Sequence, residues 1–161
     1  MRVGELMARV VGGWEGENQL RMMPDDDFAS SPSTASVALA AAGNAVTLGY
    51  TWADFDGVAQ EGLIVLGDGP LPGRTEAVWA DSWHQQPEWK AMIGAVSADR
   101  VSLSGTYGDP DEPAAWHIAL VLEGDGGLTM TMANEMADTG AYEVVRATWR
   151  PAEGRAGRRS G

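Results

Sequence analysis

The chain has 161 residues, a formal net charge of −12 and no cysteine. So acidic a chain lacks the basic patches that nucleic acids and anionic membranes require, which excludes both as partners. Without cysteine there are no disulfides, thiolate metal sites or cysteine nucleophiles, which fits a cytoplasmic protein.

With 44% hydrophobic and 21% charged residues, the composition is that of one globular domain able to bury a sizeable core. That domain is assigned to residues 1–150. Residues 151–161, rich in Gly, Arg and Ala and without periodicity, read as a disordered basic tail.

Taken in chain order, Val3 to Val11 places Val3, Leu6, Met7, Val10 and Val11 at helical spacing, and Gly12-Gly13 ends that short amphipathic helix. It has no long apolar core and no small-residue cleavage site, so neither a signal peptide nor a membrane span is expected. Trp14 to Met23 reads as a strand whose internal Gly16 signals a bulge, a bend or a close backbone approach. Pro24 to Pro32, with Asp25-Asp26-Asp27, is a polar loop. Ser33 to Ala42 is Ala-rich and suits helix or strand. The next segment decides it: Val46, Leu48, Tyr50 and Trp52 alternate with smaller residues, and Gly43-Asn44 supplies a hairpin turn.

Further strands follow at Val58 to Leu66 and Arg74 to Trp83. Gln85-Gln86-Pro87 is read as an interruption, after which Trp89 to Val96 continues. Val101 to Tyr107, Trp116 to Leu122, Leu128 to Asn134 and Tyr142 to Arg150 complete the series, separated by Gly/Asp turns such as Gly124-Asp125-Gly126-Gly127. About ten antiparallel strands joined by short turns predict an all-β, up-and-down meander. Closing it into a barrel removes its exposed edges, and a barrel of this width is expected to enclose a ligand cavity. The N-terminal helix is placed to plug one end.

Several short motifs stand in a familiar order. Gly13-Trp14-Glu15-Gly16-Glu17 resembles the G-x-W-x-G-E opening of small calycin-like barrels. Trp79-Ala80-Asp81-Ser82-Trp83-His84, Gly94, Val101 to Tyr107, Trp116 and Met132-Ala133-Asn134 then follow. This succession, from Gly12 to Arg150, resembles a bacterial family of unknown function with a calycin-like fold, related to nitrobindin and more distantly to fatty-acid-binding proteins. The resemblance implies a ten-stranded antiparallel barrel around a cavity and no settled activity. One departure is His117, where the resemblance leads one to expect arginine after the tryptophan. Nitrobindins hold haem through a histidine near the C-terminus. Tyr142 to Arg150 contains none, so haem is not expected, and no other cofactor is implied.

The densest chemistry lies in Trp79 to His84. On an undisturbed strand, Trp79, Asp81 and Trp83 share one face, and Ala80, Ser82 and His84 the other. Ser82 and Asp81 then point apart, which disfavours a nucleophilic triad. Asp81 between two indoles suits either a general acid or base or a carboxylate that caps the strand end. His84 falls where strand meets turn, at a barrel mouth, as a proton shuttle or a structural imidazole. His117 either lines the cavity or is a satisfied core residue.

Tyr50, Trp52, Trp79, Trp83, Met92, Trp116 and Met132 form the candidate ligand wall, core packing being the other role open to each. Arg146 joins them as a ligand clamp if it points inward, and is solvated if it points outward. Trp14, Trp89 and Trp149 read as core. No metal-ligand spacing, nucleophile elbow or phosphate loop is present. The expected function is a small-molecule binding barrel for a hydrophobic or amphipathic ligand. The alternative is a cofactor-independent isomerase, cyclase or lyase using Asp81 with His84 or His117. A homodimer is compatible with both.

Overall fold

The computed structural model describes residues 1–152. The basic tail read at 151–161 therefore lies almost wholly outside the described residues. A helix α1 (Val3–Met7) runs on through a 3-10 turn (Ala8–Val10). Ten strands follow: β1 (Gly12–Leu20), β2 (Ala29–Ala40), β3 (Ala45–Ala53), β4 (Ala59–Asp68) and β5 (Arg74–Asp81), then β6 (Gln85–Val96), β7 (Arg100–Tyr107), β8 (Ala114–Leu122), β9 (Leu128–Met136) and β10 (Gly140–Pro151). Each pairs antiparallel with its chain neighbours, and β10 pairs with β1, so the sheet closes into a barrel without a free edge.

The period-two pattern builds the interior. In β3, Val46, Leu48, Tyr50 and Trp52 point inward; in β8, Trp116, Ile118, Leu120 and Leu122 do the same. Gly16 is a close-approach position, because a Cβ there would lie 1.9 Å from the Thr148 carbonyl oxygen of β10. Gly94 stands in the same relation to Ser102 of β7, at 1.8 Å.

The meander places alternate loops at opposite ends, and α1 closes one of them. Leu6 and Met7 are fully buried, and the Arg2 guanidinium bonds Asp68 at 2.7 Å and Asn44 at 2.8 Å. The Asp68 carboxylate also accepts the Val3 N–H, and Arg9 donates to the Ala98 carbonyl at 2.8 Å, so the plug is tied to the end of β4 and to the β2–β3 and β6–β7 loops. Trp149, Trp79, Leu48, Ile64, Leu120 and Met130, none more than 2% exposed, fill the middle. The expected cavity is thus not a central void. Among the described residues, the space lined by inward-facing side chains lies at the mouth opposite the helix.

Four elements differ from the sequence reading. β1 ends at Leu20, so Met22 and Met23, read as strand, lie in the β1–β2 loop. β2 begins at Ala29, so Ser30 to Pro32 belong to the sheet, with Pro32 opposite Glu17. β5 stops at Asp81, and Ser82-Trp83-His84 forms the hairpin turn, with Asp81 opposite Gln85. Gln85 to Pro87 therefore starts β6 instead of interrupting a strand. Trp89, read as core, is 73% exposed on the outer face of β6.

The β6–β7 ladder runs only from Ile93↔Ser104 to Val96↔Val101. Towards the mouth, Lys90 spans the seam between the two strands, donating to the Thr106 carbonyl at 2.8 Å with its ammonium 5.8 Å from the Tyr107 ring centre.

Candidate functional site

β3 and β5 meet the β5–β6 turn in a buried chain of hydrogen bonds. Trp79 Nε1 donates to the Tyr50 hydroxyl at 2.8 Å, and that hydroxyl donates to Asp81 Oδ2 at 2.6 Å. Asp81 Oδ1 accepts the Trp83 and His84 backbone N–H groups, both at 2.8 Å. Three donors thus converge on one carboxylate, and two of them fold the turn back over the barrel mouth. The strand beside Tyr50 makes room for this. A Cβ on Gly62 of β4 would lie 2.1 Å from the Tyr50 ring and hydroxyl, so only glycine lets the ring cross β4 towards Asp81. Burial, followed by the charge and hydrogen bond of Asp81, holds the Tyr50 hydroxyl well above its ordinary value of 10.0.

The turn delivers His84 inward, not to the face opposite Asp81 that strand alternation predicts. Its ring stacks on Trp52 with centroids 5.3 Å apart. It meets Trp83, Trp116 and Trp79 at 4.9, 5.6 and 6.1 Å. Burial among these indoles lowers the His84 pKa below 6.5, opposed by the nearby Asp81 charge, so the imidazole is neutral at pH 7.

Above it opens a pocket of about 420 Å³, lined by Met22, Met23, Trp83, His84, Trp116, Asn134, Met136, Tyr142 and Val144. Asn134 Oδ1 accepts the Tyr107 hydroxyl, and the Tyr142 hydroxyl donates to the Met22 carbonyl at 2.9 Å, which pins the β1–β2 loop to the rim.

The candidate residues divide into three groups. Trp83, His84 and Trp116 line the pocket. Tyr50, Trp52, Trp79, Asp81, Met92 and Met132 point inward but are at most 4% exposed. Asp81 caps the turn. Trp83 reaches the mouth from the turn itself, meeting Trp52 edge-on at 5.4 Å and Phe55 at 6.1 Å.

His117 and Arg146 form the third group and lie outside. On β8 the large residues take the inner face, so His117 sits on the outer one, bonded to Ser104 at 2.7 Å and to Glu135 at 2.5 Å. It lines no cavity. Arg146 forms a two-pronged bond with Glu143 at 2.7 and 2.9 Å on the outer surface. The reason is an irregularity in the β10–β9 register between Glu143 and Val145. It carries both Val144 and Val145 inward and reverses the faces beyond it, so Ala147 and Trp149 are buried and Arg146 is turned out.

Several lining residues were missed. Asn134 had a visible signal, as the last member of the inward series Leu128, Met130 and Met132. Met22 and Met23 had none, since they lie in a loop that reaches the rim through a long-range contact.

The fold and site define a class: a closed, ten-stranded antiparallel barrel, plugged by a short helix at one end and open to a small aromatic pocket at the other. Among solved structures, it is similar to Rv2717c from M. tuberculosis, with a TM-score of 0.65 over 92% of this chain and 96% of that one. The identity is 15%, so the likeness is one of fold. No family model and no curated protein matches the sequence.

Proposed function

We propose that the protein binds a small, largely apolar or amphipathic molecule in the mouth of its barrel. The observation that carries this reading is the pocket of about 420 Å³ between Trp83, His84, Trp116 and Tyr142. Its size and its aromatic and thioether walls with a few polar groups are those of a ligand site. The fold supports such a role and is compatible with calycin-like kinship. The reading keeps the protein in the cytoplasm with a small-molecule partner, and no helix among the described residues is long and apolar enough to cross a membrane. Tryptophan fluorescence against a library of small aromatic and lipid-like compounds tests it, with quenching expected to be lost in Trp116→Ala. A library that leaves the emission unchanged, together with crystals whose mouth pocket stays empty after soaking, overturns it.

A second reading, a cofactor-independent enzyme, is favoured by one observation. His84 borders the pocket as a neutral base at pH 7. Asp81 fits less well as its partner, because its oxygens already accept three hydrogen bonds. Turnover of any pocket ligand that is abolished in His84→Ala and kept in Asp81→Asn would support this form. Equal turnover in both variants would sink it.

A further inference from the structure

Among the described residues, no Asp, Glu, Lys or Arg side chain borders the mouth pocket; its polar lining is His84, Asn134 and Tyr142. Each presents a defined hydrogen-bonding sense. Asn134 uses its oxygen on the Tyr107 hydroxyl and donates one Nδ2 hydrogen to the Tyr142 hydroxyl at 3.5 Å, which leaves its second Nδ2 hydrogen as donor capacity for the pocket. The neutral His84 ring carries one N–H and one acceptor nitrogen. The nearest interior carboxylate, Asp81, is closed off by Tyr50 and the turn amides. A carboxylate or ammonium ion in this pocket would therefore shed water without meeting an opposite charge. The net charge of −12 adds a long-range repulsion for anions. An uncharged ring system escapes both penalties, since its faces rest on Trp83, Trp116 and the methionine thioethers.

Resting on the reading of the mouth as the binding site, we propose that the pocket selects uncharged, ring-bearing molecules and rejects acids and amines of the same shape. The selected ligand offers an acceptor to Asn134 and an N–H or O–H group to His84. Three indole probes of closely matched size separate the cases: indole-3-acetamide, indole-3-acetate and tryptamine. Each is titrated by calorimetry at pH 7.5, while the indole N–H resonances of Trp83 and Trp116 report where it binds.

The amide is expected to bind about tenfold tighter than either ion. His84→Phe keeps the ring packing and should weaken the amide about tenfold, the loss of one hydrogen bond. Asn134→Asp keeps an acceptor for Tyr107, installs a charge and should turn the preference to tryptamine. A thermal melt checks that each variant folds, and Asn134→Asp carries the test if His84→Phe does not. An acid or amine that matches the amide at the same resonances overturns the selection and leaves the binding site standing. If none of the three probes moves those resonances, the selection is overturned, while the binding site itself falls only if the wider library and the soaked crystals are also blank.

Discussion

Tyr50 shows how one hydroxyl joins three parts of the chain. It accepts from Trp79 and donates to Asp81, and it fits only because Gly62 is glycine. Tyr50→Phe leaves the Trp79 N–H and one Asp81 oxygen without that partner in a buried place. The expected loss is about 1–3 kcal/mol in a denaturant melt, and a variant as stable as the parent would show the network to be dispensable. The same residue sets an alkaline limit. Its folded pKa is raised, so the stability linked to its proton is complete below pH 10 and falls as pH rises above that value, where only the unfolded chain readily ionises.

His84 acts at the acid side. Its folded pKa is lowered, so its contribution is complete above pH 6.5 and is lost as pH drops from there towards the folded value. Melts from pH 8 to pH 4.5 should show this slope in the parent and a shallower one in His84→Phe. Identical slopes would place the imidazole in solvent.

At the level of elements, alternation was legible wherever a strand ran undisturbed. Val46 to Trp52 and Trp116 to Leu122 showed their inner faces directly, because each large apolar side chain falls two residues from the last. Two sites of irregular backbone escaped it. In β10 the irregularity after Glu143 reverses which residues face inward, and nothing local in Val144-Val145 announces it. In the β5–β6 hairpin, Asp81 lends its carboxylate to two turn amides, so the chain reverses where the indoles and histidine suggested more strand. That misplacement put His84 on the wrong face and hid the pocket.

Asp81→Ala tests the turn. It removes three hydrogen bonds and strands the Tyr50 hydroxyl, and should cost about 2–4 kcal/mol. It should also abolish ligand quenching of Trp83, since the turn that positions His84 is no longer pinned. Retained quenching at reduced stability would separate the turn from the site.

For the whole molecule, the two ends of the barrel divide stability from binding. The helix plug is held by buried Leu6 and Met7 and by Arg2 on Asp68, at the far end from the pocket. Leu6→Ala should therefore cost about 2–5 kcal/mol through the cavity it leaves, while ligand affinity at 25 °C stays within twofold.

The seven tryptophans give this division an optical readout. Trp14, Trp52, Trp79, Trp116 and Trp149 are at most 9% exposed and Trp83 is half-buried, whereas Trp89 stands 73% exposed on the outer wall. Acrylamide, an uncharged quencher unaffected by the charge of −12, should reach Trp89 first. Trp89→Phe should then remove most of the readily quenched emission and leave both the melt and the ligand response unchanged, because that indole is exposed on the outer wall and does not line the mouth pocket. A variant that lost ligand quenching would instead draw the outer wall of β6 into the site, and would point to the seam bridged by Lys90 as a second way into the barrel.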